Sequence, residues 1–135
     1  MDKIRAYEST DKQMIPLSIA PKFEAKFNKM STHLQEVFTE LIIKCSKFCS
    51  KCFPTNTPDF RLQKSFNFCL INFVNSKVRI HIRTDGLKLE SEHLTIRPLP
   101  NHHYNGWEWV EVAIDKECEV DEAVMLIEKA FRHSD

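Results

Sequence analysis

Three groups of side chains in this 135-residue chain have the types and spacing that chemistry requires. Cys45, Cys49 and Cys52 follow a C-x3-C-x2-C interval, at which three thiolates hold an iron–sulfur cluster in the radical enzymes that use S-adenosylmethionine; for zinc, His33 or Cys118 would complete the set. His102, His103 and Tyr104 stand together in a loop, where imidazoles can ligate a metal or move a proton near neutral pH. Lys77, Arg79, His81 and Arg83 alternate with Val78, Ile80 and Ile82, so a strand there shows a cationic stripe on one side. Such a stripe, extended by Lys64 and Arg97, attracts phosphates without reading bases.

The settings of the first two groups favour blander roles. A cluster site needs three thiolates on an exposed loop inside a far larger barrel, and Lys51 stands where those enzymes carry an aromatic residue. In a helix, the i, i+4, i+7 spacing instead puts all three sulfurs on the stripe of Leu34, Phe38 and Leu41, where cysteine acts as a small hydrophobe. The expectation is a cysteine-lined core with no metal and no cofactor. Consecutive histidines diverge, and no carboxylate is spaced to complete a site with His102 and His103, so their loop is expected to be solvated. Trp107 and Trp109 are expected to pack on a sheet, an exposed stacking platform being the alternative. A Gly-rich phosphate loop, a Ser-His-Asp order and a Glu-plus-Lys nuclease spacing are all missing, so no enzyme activity is expected.

These residues need elements to hold them. Ser31 or Thr32 caps a helix, with Gln35 three residues beyond Thr32, and apolar residues recur at three and four from Leu34 to Cys52. Phe53-Pro54-Thr55-Asn56-Thr57-Pro58 ends it. Strands follow at Phe60–Gln63, Phe66–Phe73 and Val78–Arg83, with turns at Asn75-Ser76 and Asp85-Gly86. Shorter strands are expected at Leu87–Leu89 and Leu94–Ile96, another at Trp107–Ile114, and a last amphipathic helix over Val120–Arg132. The expectation is an α+β fold: an N-terminal helix, an antiparallel meander of four to five strands and a C-terminal helix, with both helices on one sheet face. Residues 31–135 make one domain. Residues 1–30, broken by Pro16 and Pro21, read as an arm or a poorly ordered lead.

Composition narrows the class. The chain is 42% hydrophobic with ten Phe and only two Gly, which is ordinary for a globular domain and leaves little material for flexible linkers. Five cysteines, no apolar run near the length of a membrane span and no apolar leader point to a reducing, cytoplasmic setting. The net charge is zero but unevenly spread: residues 1–104 carry 16 Lys/Arg against 10 Asp/Glu, and residues 105–135 carry 3 against 9. Either the acidic end answers the basic strand, with Arg79 and Arg83 as its partners, or the two attract other molecules.

Phe66 through Ile82, the Asn105-Gly106-Trp107 turn, the strand Val110-Glu111-Val112 and the ending Val120 to Phe131 resemble the domain of unknown function family numbered 5655, sometimes labelled "predicted transport protein". The resemblance covers roughly residues 32–133. It implies a domain found alone or after nuclease modules of restriction-type systems, with no agreed catalytic residues to carry over. The loop Pro100 to Gly106 departs from the family, whose members tend to have charged residues before the glycine.

The functional expectation is a non-catalytic accessory or protein-interaction domain, associated through the resemblance with nuclease or defence systems. A homodimer would pair a basic face with an acidic end. The alternatives are a nucleic-acid-binding module using Lys77, Arg79, His81, Arg83 and Arg97, and a small metal protein built on the cysteines. The His102, His103, Tyr104 and Trp107 loop is a further candidate surface.

Overall fold

Ten phenylalanines in a chain this short must find one another, and most of them do so between helices and one face of a sheet. The computed structural model describes residues 20–55, 57–100 and 106–134. Helix α1 spans Pro21–Asn28, α2 Thr32–Cys45 and α3 Val120–His133. Six strands, β1 Lys51–Pro54, β2 Phe60–Gln63, β3 Asn67–Val74, β4 Lys77–Arg83, β5 Arg97–Pro98 and β6 Trp109–Ile114, form one antiparallel sheet in the order β1-β2-β3-β4-β6-β5. The α+β class stands, with one or two strands more than the sequence suggested.

The core begins earlier than residue 31. Pro21 does not interrupt structure but starts α1, where its missing N–H costs nothing and its fixed φ suits the first turn. Phe23 and Phe27, one helical turn apart, are fully buried. Phe23 lies 5.5–6.1 Å from the rings of Phe27, Phe38, Phe60 and Phe73, so α1 is part of the domain. Residues 1–19 lie outside the described residues. Ser31 caps α2 by accepting the Leu34 N–H, while Gln35 makes no box with Thr32; its amide donates to the carbonyls of Phe27 and Met30 and ties α2 to α1.

Helix α2 stops at Cys45, seven residues short of the expected end. The chain turns through Ser46–Ser50, and Lys51–Pro54 pairs with β2, Cys52 opposite Leu62. Helical periodicity therefore gives the wrong geometry for the cysteines: Cys45 ends a helix, Cys49 sits in a turn and Cys52 is on a strand. Strand pairing wins because it buries Cys52 on the helix side of an existing sheet, a tertiary term that local pattern does not contain.

The remaining strands keep strict alternation, with one exception. Leu62 faces Cys69 but Gln63 faces Asn67, so Phe68 is an extra residue in a β-bulge. The bulge leaves Phe68 and Cys69 both buried, and the Phe68 ring lies 5.5 Å from Phe131 of α3. Asn75 and Ser76, with φ of 54° and 60°, make the two-residue hairpin turn between β3 and β4. The Asp85-Gly86 turn opens no hairpin. The expected strands at Leu87–Leu89 and Leu94–Ile96 are instead a connection lying over the core, with Leu89 and Leu94 buried, and only Arg97–Pro98 pairs, with β6. Among the described residues, no helix is long and apolar enough to cross a membrane.

Candidate functional site: the open face of the sheet

Alternation sends Val78, Ile80 and Ile82 under the helices, which leaves Lys77, Arg79, His81 and Arg83 on the other side. Register completes that face. Phe53, Arg61, Leu70, His81, Glu111 and Arg97 line up as one row across all six strands, each the cross-strand neighbour of the next. Neighbours in such a row stand about 5 Å apart, close enough for opposite charges to meet.

They do meet. The Glu111 carboxylate lies 2.9 Å from His81 Nε2 and accepts from Arg97 at 2.7 Å, and His81 is only 2% exposed. Burial pushes the Glu111 carboxyl upward, but the hydrogen bonds and charges of Arg97 and His81 together hold it below its ordinary value. Arg79 faces Asp59 at 3.9 Å, and Lys77 faces Asp115 at 3.7 Å. Arg83 donates to Asp85 at 2.7 Å, and its guanidinium carbon lies 4.0 Å from the centre of the Phe66 ring and 3.8 Å from that of Trp107. Planar Arg83 is thus held between two aromatic faces, a geometry that lysine could not fill.

The basic strand is therefore not a bare cationic stripe. Its acidic partners also differ from the sequence expectation: Arg79 and Arg83 find Asp59 and Asp85, while the acidic segment 105–135 supplies Glu111 and Asp115 to His81, Arg97 and Lys77. Trp109 packs as expected, whereas Trp107 takes the alternative, 53% exposed over Arg83. Comparison of the chain with family models, curated proteins and solved structures found no match. What the face can do must therefore be read from its own geometry.

Of the other candidates, His102, His103 and Tyr104 lie outside the described residues. Cys45, Cys49 and Cys52 are all buried, yet no group of three metal-ligating side chains forms among the described residues. The Cys49 thiol donates to the Gln63 and Lys51 carbonyls and that of Cys52 to the Cys49 carbonyl, so these sulfurs knit the α2–β1 turn to β2. Burial drives the Cys45 and Cys69 thiols far above their ordinary range, which keeps them protonated and poor as nucleophiles.

Sequence reasoning missed one polar cluster. Glu122 on α3 contacts the Ser91 hydroxyl, accepts the His93 N–H at 3.1 Å and lies 3.0 Å from His93 Nδ1. The Ser91 hydroxyl and the His93 backbone and side chain bring the Glu122 carboxyl down to about 2. Serine meets the carboxylate here rather than the imidazole, so the histidine does not activate it; the trio pins the β4–β5 connection to α3. Its signal was thin, since Ser91 and His93 sit 31 and 29 residues from Glu122.

Proposed function

We propose that this chain is a non-catalytic docking module that holds a protein partner at the exposed Trp107 end of the sheet face opposite the helices. The observation that carries this reading is the Trp107–Arg83–Phe66 stack. Tryptophan and arginine are the residue types that most often dominate protein interfaces, and here both are fixed before any partner arrives. Fixing them in advance lowers the entropy that binding would otherwise cost. An accessory role beside a nuclease, as the family resemblance implies, is compatible with such a face, and a cytoplasmic setting suits a chain with five cysteines and no disulfide.

The nucleic-acid alternative is weaker on this face. A phosphate backbone needs a run of available cations, whereas Lys77, Arg79, Arg83 and Arg97 each stand beside a carboxylate of the same chain.

Site-specific photo-cross-linking tests the proposal. A photoreactive phenylalanine analogue at position 107 should give one discrete protein adduct that Arg83→Ala abolishes, while the same probe at Met125, exposed on α3, should not give it. Equal adducts from both positions, or none at 107, would remove the docking reading. An adduct with a second copy of this chain would identify a homodimer.

A further inference from the structure

Beside the exposed anchor lies a strained turn, and one residue holds that turn at both ends. Asp85, just past β4, has a φ of 46°, in the left-handed region where a residue other than glycine persists only when its surroundings fix it. Glu108 does the fixing. Its Oε1 accepts the Thr84 hydroxyl at 2.8 Å and the Gly86 N–H at 2.6 Å, and its backbone carbonyl accepts the Thr84 N–H at 2.9 Å. Thr84 is 1% exposed, so these bonds also satisfy a buried hydroxyl. The Gly86 N–H and the Thr84 hydroxyl hold the Glu108 carboxyl below its ordinary value, so at neutral pH it is ionised and both bonds are charge-assisted.

The conformation of this turn decides where Asp85 points. Its carboxylate accepts from Arg83 Nε at 2.7 Å, and the guanidinium held there lies 3.8 Å from the centre of the Trp107 ring. His133, the last residue of α3, brings Nε2 to 3.2 Å from the Asp85 carbonyl oxygen, so the helix layer braces the same turn. Glu108 also follows Trp107 directly in the chain. It therefore reaches both members of the stack, Arg83 through Asp85 and Trp107 through the backbone.

We propose that Glu108 is the positioning residue of the docking site: it sets the Thr84–Gly86 turn, through which Asp85 and Arg83 hold Trp107 in the orientation that a protein partner meets. This rests on the docking reading above and adds the group that orders its anchor. Glu108 needs no contact with the partner to matter, because an anchor ordered in advance loses less entropy on binding than a free one.

Two measurements on the full chain test this. In the first, nitrogen-15 relaxation of the indole N–H groups reads the order of each tryptophan on the ps–ns scale, with Trp109→Phe assigning the resonances. Glu108→Ala should loosen the Trp107 indole and leave that of Trp109 and the strand amides unchanged, whereas Glu108→Gln, which keeps the acceptor oxygen, should retain most of the order. Asp85→Ala should loosen Trp107 too, and adding it to Glu108→Ala should change little more, since the two act through one another. In the second, the photoreactive probe at position 107 should give about tenfold less adduct in Glu108→Ala, with Glu108→Gln close to the parent chain. Thermal melts confirm that each variant folds. A Trp107 indole as ordered in Glu108→Ala as in the parent, or as loose in Glu108→Gln as in Glu108→Ala, would overturn the positioning role. An adduct that survives Glu108→Ala undiminished would overturn it as well and leave the docking reading standing. No adduct from the parent chain would overturn the docking reading and with it the site that Glu108 is proposed to position, even if the relaxation data show the anchor ordered through Glu108.

Discussion

Replacing Phe23 by alanine should cost far more than its place in a proline-flanked N-terminal stretch suggests. Phe23 is fully buried against four other rings, all within 6.1 Å, in a cluster contributed by α1, α2, β2 and β3. Truncating such a ring removes its transfer free energy and leaves a cavity, together about 3–5 kcal/mol. That is a large part of the ~5–15 kcal/mol that holds a domain folded. Helix α1 has eight residues, too few to persist without tertiary contacts, so its docking rests on Phe23, Phe27 and the two carbonyls that Gln35 holds. A Phe23→Ala, Phe27→Ala double variant should therefore lose less than the two single losses together, because the first change already loosens what the second would release. Urea unfolding of the full chain gives both quantities: the midpoint falls, and in the double variant the slope falls too, since the undocked state already exposes Phe38, Phe60 and Phe73. A Phe23→Ala loss under about 1 kcal/mol with an unchanged slope would refute the placement of α1 in the core.

Two further outcomes follow from single groups. Glu111→Gln should cost about 1–2 kcal/mol at neutral pH, most of it from the His81 side, because Arg97 is largely exposed and its pairing is screened. The folded carboxyl sits below its ordinary value, so its contribution is full above that value and fades as the pH falls through the lowered one; a mutational cost that does not shrink on acidification would contradict the pairing. Of the five cysteines, Cys118 is exposed and the other four are buried, so Ellman's reagent should titrate one thiol rapidly in the native protein and the rest only in denaturant. Cys118→Ser should abolish the rapid phase, and a second fast thiol would show that the α2–β1 turn opens.

What could be read from the sequence divides by distance along the chain. β4 was legible to within one residue, because alternation along it is a local record of one buried face. α3 was legible for the same reason at helical period. The end of α2 was not: Leu34 to Cys52 keeps an apolar spacing that suits a helix, and only pairing with β2 shows that Cys52 belongs to a strand. α1 was missed because Pro21 was read as a breaker, when the same ring at a first helical position is a start. Leu87, Leu89 and Leu94 promised strands, but their burial comes from packing over the core rather than from a ladder.

The candidate site follows a harsher version of the same rule. Alternation alone put Lys77, Arg79, His81 and Arg83 on one face, but whether a cation there is available depends on which acid the register sets beside it. Asp59 lies 20 residues before Arg79 and Glu111 lies 30 after His81, and neither spacing marks the pair in the sequence. Nor does the split of charge between the two parts of the chain decide it, since Arg79 and Arg83 are met by acids of the basic part. Counting charges along a strand therefore overstates an electrostatic site, and counting them across the sheet shows, among the described residues, ion pairs for Lys77, Arg79, Arg83 and Arg97. The stack of Trp107 on Arg83 adds a fixed apolar anchor at the end of β4. A face with few spare cations and one exposed aromatic anchor discriminates by shape and by single contacts rather than by field, which is the physical reason to look for a protein partner on it.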